Sequence, residues 1–187
     1  MTTPRIPARR HFLHRTGRLA LGAGLGGLAP RLAQASTAAE RSLAFDHTHT
    51  GEHLSLVFAL GDRLLPQAHT RLNRFLRDHY SGEVGTMDPR LFGLLHELRA
   101  TLGSDGAYHV ISGYRSPITN AHLRKTRAGG VAKHSLHMDG MAIDIRLPGV
   151  ALGDLRDAAV SLQGGGVGFY PRENFVHIDT GRVRRWG

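Results

Sequence analysis

Apolar and polar positions alternate from Ser42 to Thr50, break at Gly51 and resume from Leu54 to Phe58, a pattern that predicts a β-hairpin. The period then changes. Leu64, Leu65, Ala68, Leu72, Phe75 and Leu76 form a stripe that predicts a helix over Leu64–Tyr80, interrupted by Ser81-Gly82. Asp88-Pro89 offers an N-cap and a first-turn proline to a second helix, which carries Leu91, Leu94, Leu95 and Leu98 and stops at Gly103. Tyr108–Ser112 reads as a strand. Ser116-Pro117 opens a third helix to about Lys125, and polar, glycine-bearing Arg124–Lys133 reads as a mobile surface loop. Met141–Arg146 predicts a strand, Gly153–Leu162 a helix, and Gly164–Tyr170 and Phe175–Thr180 two short strands. Helices ahead of short, mainly antiparallel strands predict an α+β fold, one compact domain over residues 36–187 with helices packed on a small sheet.

Residues 1–35 stand apart. Arg9-Arg10-His11-Phe12-Leu13 precedes a Gly/Ala/Leu-rich stretch from Leu19 to Leu28, and Ala33-Gln34-Ala35 follows. A basic head, an apolar middle and a small-x-small site form an export signal, and the arginine pair before Phe-Leu is similar to the twin-arginine class. The apolar stretch is too short to cross about 30 Å of hydrocarbon, which takes roughly 20 residues. A periplasmic protein with no membrane span after signal removal is expected.

Composition narrows the chemistry. The formal charge of +9 over 187 residues suggests a nucleic-acid binder, but six arginines and no acid lie in residues 1–35. The rest carries 18 basic against 15 acidic residues, with no basic run interleaved with aromatics. Nucleic acid is therefore not an expected partner. With no cysteine, disulfides, thiol nucleophiles and thiolate metal sites are excluded, so a bound metal must use histidine and carboxylate.

Such a set is present. Ser135-Leu-His137-Met-Asp-Gly140-Met-Ala-Ile-Asp144 presents a histidine, turns at Gly140 and places an aspartate inside an apolar strand. A buried carboxylate there costs several kcal/mol unless it is paired or binds a cation. An ion pair with Arg115 or Arg146 is the plainer solution. Phe175-Val-His177-Ile-Asp179 poses the same problem with a histidine. Two imidazoles and one carboxylate leave a fourth tetrahedral position for water, as in catalytic zinc sites.

The pattern Ser135-x-His137-x-x-Gly140-x-Ala142-x-Asp144 with a distal His177 resembles the zinc D-Ala-D-Ala peptidases. The flanking segments resemble their murein endopeptidase K branch across the whole mature chain: His47-Thr-His-Thr-Gly-Glu52, Leu72–Asp78, Ile111-Ser-Gly-Tyr-Arg-Ser-Pro117, Thr119-Asn120, Gly166–Pro171 and Phe175–Asp179. The resemblance implies a hedgehog/DD-peptidase-type fold, one Zn2+ held by His137, Asp144 and His177, and hydrolysis of peptidoglycan stem-peptide bonds. It also implies that Arg115 stabilises the oxyanion and that Ser135 contacts substrate. Tyr114 and Asn120 either bind substrate or hold the turn around Arg115, and Ser116 reads as a helix cap.

Carboxypeptidase relatives place an acid three residues before the last histidine ligand. Here that position is Asn174, which cannot accept a proton. Glu173 ranks first as general base, ahead of Asp179, which equally suits a partner orienting His177, and of His134. His47 and His49 share a strand face, but two ligands alone rarely make a second metal site. The leading expectation is a murein endopeptidase of D,D or L,D type. The alternative is a zinc-containing module that binds wall peptides or a protein without cutting them, kept open by Asn174.

Overall fold

A computed structural model of the protein describes residues 38–126 and 131–187. The expected export signal at 1–35 lies outside the described residues. So do residues 127–130 of the expected loop, whose first residues, Arg124–Thr126, belong to a helix.

The elements in chain order are β1 (Glu40–His47), β2 (His53–Leu60), β3 (Arg63–Leu64), α1 (Pro66–Phe75), α2 (Pro89–Thr101), β4 (Tyr108–Ser112), α3 (Pro117–Thr126), β5 (Ala142–Arg146), α4 (Leu152–Ser161), β6 (Gly166–Tyr170), β7 (Phe175–Asp179) and β8 (Arg184–Trp186). They form one sheet in the order β3-β2-β1-β4-β5-β7-β6-β8. Pairing is antiparallel except at β1–β4 and β6–β8. The α+β expectation holds, with helices and strands interleaved along the chain.

Local chemistry explains the boundaries. Helix α1 is shorter than the apolar stripe suggests. Pro66 has no N–H to donate and disfavours helical backbone at Leu65, which is extended at φ −88°, ψ 115°. Leu64 is thereby left to pair with Ala59 as the short strand β3. At the other end, the Asp78 carboxylate accepts the N–H of Tyr80 at 2.9 Å and of Ser81 at 3.4 Å, which turns the chain out of the helix. The predicted caps are present: Asp88 accepts the Arg90 N–H at 2.9 Å, and Ser116 Oγ accepts the Thr119 N–H at 3.2 Å. Strand β8 was not anticipated, because Arg-Arg-Trp carries no alternating apolar signal.

Helix α1 packs on β2, α2 on β1 and on α4, and α4 on β6 and β7. On the central strands, Ile143 and Ile145 of β5 and Val176 and Ile178 of β7 face that core, almost completely buried. Side chains alternate across a sheet, so Asp144, His177 and Asp179 project from the opposite face. The apolar halves of these two strands anchor the polar halves.

Candidate metal centre

Asp144 and His177 are direct cross-strand partners in the β5–β7 ladder. His137 comes from the preceding turn, closed by Met138 N–H to the Ser135 carbonyl at 2.8 Å and Met141 N–H to the Leu136 carbonyl at 2.9 Å. Gly140 makes that turn possible. Its φ is +67°, and a Cβ there would collide with the Thr86 carbonyl oxygen. The turn is anchored to α2 through Asp88 N–H, which donates to the Gly140 carbonyl at 2.9 Å.

The three side chains converge. His137 Nε2 lies 3.2 Å from Asp144 Oδ1 and 3.2 Å from His177 Nδ1, and His177 Nδ1 lies 2.8 Å from Asp144 Oδ1. Ligands about 2.0–2.1 Å from a tetrahedral zinc stand about 3.3 Å from one another, so this triangle fits such an ion with small adjustment. Among the described residues, this is the one group of three or more His, Asp or Glu side chains close enough to share a metal. The far nitrogens are also committed. His137 Nδ1 donates to the Gly113 carbonyl at 2.7 Å, and His177 Nε2 faces Asp179 Oδ2 at 3.2 Å. Each bond fixes the tautomer that turns the other nitrogen's lone pair inward.

Electrostatics point the same way. Burial holds His137 below the ordinary histidine range, favouring the neutral ligand form. Burial pushes Asp144 up, but His137 and His177 outweigh it and keep the carboxylate ionised, well below the usual range. Burial also pulls His177 down, yet its bonds to Asp144 and Asp179 raise it to about 9.

Arg115 reaches this centre from the turn between β4 and α3, its Nη2 3.9 Å from Asp144 Oδ2. Its backbone N–H donates to the His137 carbonyl at 3.1 Å, which locks the arginine turn to the His137 turn. Below it, Asp78 Oδ2 accepts the Ser116 N–H at 2.9 Å. The alternative partner for Asp144, Arg146, instead donates to His109 Nδ1 at 3.4 Å.

A cavity of 690 Å³ opens over the triad, lined among others by Arg115, His134, Ser135, Glu173 and Trp186. A second of 210 Å³ shares Arg115, Asp144, Glu173 and Phe175 with it and continues past His49, His79 and Tyr80. Glu173 is exposed on the β6–β7 turn and lines both cavities. Asn174, beside it, has φ +57°, a left-handed conformation that asparagine tolerates better than most residues. His134 sits at the rim, 2.9 Å from Asp139 Oδ2.

Asp179 lies behind His177 with no exposed surface, bonded to the N–H groups of Gly166 and Gly181 and to Arg184. That places it on the far side of the His177 ring, away from the cavity. Tyr114 donates its hydroxyl to Glu83 at 3.0 Å while lining the second cavity. Asn120 is buried and donates to the carbonyls of Ala132 and Lys133, so it ties down the cavity rim. His47 is buried against Phe75 and His79, and His49 stacks on His79 at 4.2 Å, a wall of rings beside the second cavity. Sequence reasoning missed Arg184, Trp186 and the Gly113 carbonyl, whose contributions depend on pairing between distant strands and turns.

The sequence model of the family described as peptidoglycan L,D-endopeptidase MepK matches residues 35–186. The peptidoglycan L,D-endopeptidase MepK of Escherichia coli (strain K12) is 42% identical over 182 residues, covering 97% of this chain and 99% of its own length. The Haemophilus influenzae protein named probable peptidoglycan L,D-endopeptidase MepK is 44% identical over 156 residues, 83% of each chain. With this match covering residues 35–186, including the turn and strands that carry His137, Asp144 and His177, the chain belongs to the peptidoglycan L,D-endopeptidase MepK family.

Proposed function

We propose that the protein is a zinc-dependent peptidoglycan endopeptidase that hydrolyses L,D cross-links between stem peptides in the periplasm, after export directed by residues 1–35. The observation that carries this reading is the triangle of His137, Asp144 and His177 at the junction of two cavities. An endopeptidase must hold peptide on both sides of the scissile bond, and two arms meeting beside Asp144 suit that requirement. The L,D preference rests on the names of the relatives.

His137, Asp144 and His177 would hold the ion, which when bound supplies Lewis acidity to the substrate carbonyl and an acidified water. Arg115, its Nη2 3.9 Å from Asp144 Oδ2, offers a fixed guanidinium to the charge that develops on the carbonyl oxygen and so stabilises the oxyanion. Glu173 takes the proton from the attacking water and returns it to the departing amine, a role its position over both cavities allows. Ser135 contributes a polar contact from the cavity wall, and Tyr114 and Asn120 keep the arginine turn and the rim in place. Asp179 orients His177 in preference to acting as base, because it lies behind the ring.

The test is digestion of defined cross-linked muropeptide dimers with the zinc-loaded protein, with products read by mass spectrometry. Cleavage of 3–3 linked dimers that stops with a chelator and returns with zinc is expected. A protein fully loaded with zinc that cuts neither 3–3 nor 4–3 linked dimers would instead be a binding module.

A further inference from the structure

Two glycines on β6 face two large side chains on β8. In the parallel β6–β8 ladder, Gly166 pairs with Arg184 and Gly168 with Trp186. On its other edge β6 pairs with β7, where Gly168 is the partner of His177. One row across three strands therefore reads His177, Gly168, Trp186. A Cβ on Gly168 would come within 2.6 Å of the indole, and one on Gly166 would collide with the Arg184 guanidinium. The missing side chains are gaps in the sheet face through which residues of β8 lean toward the metal ligands.

What they reach is specific. Arg184 Nη2 and Nη1 lie 2.7 and 3.1 Å from Asp179 Oδ2 and Oδ1, a fork on both oxygens of a fully buried carboxylate. The same carboxylate faces His177 Nε2 at 3.2 Å. Trp186 packs beside this pair: its ring centre lies 5.3 Å from that of His177 at a 53° tilt, its Nε1 donates to the Tyr170 hydroxyl at 2.9 Å, and the Arg184 guanidinium sits 4.8 Å from its centroid. Imidazole, carboxylate, guanidinium and indole thus form one packed layer behind the metal triangle.

We propose that Arg184 is a positioning residue of the metal centre, fixing the Asp179 carboxylate so that His177 presents Nδ1 to the ion, with Trp186 as the packing wall of the same layer. This rests on the metal assignment above. The planar fork sets both oxygens of Asp179, and a carboxylate fixed in this way allows one orientation of the imidazole it bonds. Without the fork, Asp179 keeps only backbone donors on Oδ1. Its Oδ2, the atom facing His177, loses its strongest tether.

The chain's single tryptophan makes this testable. Metal-free full-length protein is titrated with Co2+, followed by quenching of Trp186 fluorescence and by the visible absorption of tetrahedral cobalt, and then with zinc in competition with a chelator. Arg184→Ala is expected to weaken both metals about 10–100-fold. Arg184→Lys, which keeps the charge but not the fork, should fall between. In a double-mutant cycle, Arg184→Ala should add little to Asp179→Asn, because both act through one carboxylate. Wild-type affinity in Arg184→Ala or Arg184→Lys, or fully additive losses, overturns the proposal even if the variants melt at lower temperature. If Arg184→Ala does not fold, Arg184→Lys decides. Failure of the wild-type protein to bind either metal instead removes the metal assignment itself.

Discussion

Asp144 Oδ1 and His177 Nδ1 stand 2.8 Å apart because their residues are register partners on β5 and β7. The backbone ladder, anchored by Ile143, Ile145, Val176 and Ile178 in the core, sets that spacing. Two of the three proposed ligands are therefore placed by the sheet itself. His137 completes the set from a separately anchored turn.

His137→Ala should accordingly lose metal without losing the fold. Metal affinity is expected to fall by more than about 100-fold, beyond the effect of altering an outer partner, and hydrolysis with it. Elemental analysis and chelator competition measure the first effect, and far-UV circular dichroism should remain that of the wild type. A variant that retained both zinc and rate would remove His137 from the ligand set.

Arg115→Ala should do the reverse, keeping zinc and losing turnover. Removing an oxyanion donor costs about 10²–10³ in kcat. Glu173→Gln should also retain the metal and lose about 10²–10⁴, the usual contribution of a general base. Stopped digests of a cross-linked dimer at saturating zinc separate these from ligand variants.

Asp78 lends pH-dependent stability to the turn that carries Arg115. It is buried, and burial alone would raise its pKa. Hydrogen bonds from Thr119, Ser116 and Tyr80 outweigh that effect and lower it from 3.8 to about 2. A depressed carboxylate stabilises the fold above its unfolded pKa, and that contribution disappears as pH falls through the folded value. The shift corresponds to about 2 kcal/mol. Asp78→Asn should therefore be about 2 kcal/mol less stable in urea at pH 7, and the gap to wild type should narrow toward pH 2. A gap independent of pH would rule out this origin.

Gly140→Ala should be destabilising out of proportion to one methyl group. A left-handed backbone costs a residue with a Cβ about 1–2 kcal/mol, and here the added carbon also meets the Thr86 carbonyl. A loss of at least about 2 kcal/mol is expected in thermal or urea unfolding, accompanied by weaker metal binding as the His137 turn shifts.

The elements themselves were largely legible from local chemistry. The hairpin of β1 and β2, the capped helices α2 and α3 and the strands β5 and β7 follow alternation, proline and cap residues over short windows. Helix α1 is shorter than its apolar stripe, which continues on both sides of its boundaries at Leu64, Leu65 and Leu76. Pro66 and the Asp78 turn decided where the helix stops.

The amino-acid sequence alone determined that two imidazoles and a carboxylate would need an explanation, because each interrupts an apolar run or follows a glycine turn. It also determined the face each occupies, since side chains alternate along a strand. Only the tertiary structure decided that Asp179 stands behind His177, that Glu173 overlooks both cavities, and that Arg184 and Trp186 reach the centre across Gly166 and Gly168. These relationships join residues through sheet pairing and turn packing. Their geometry comes from which strands become neighbours and in what register, information that no short window of sequence contains.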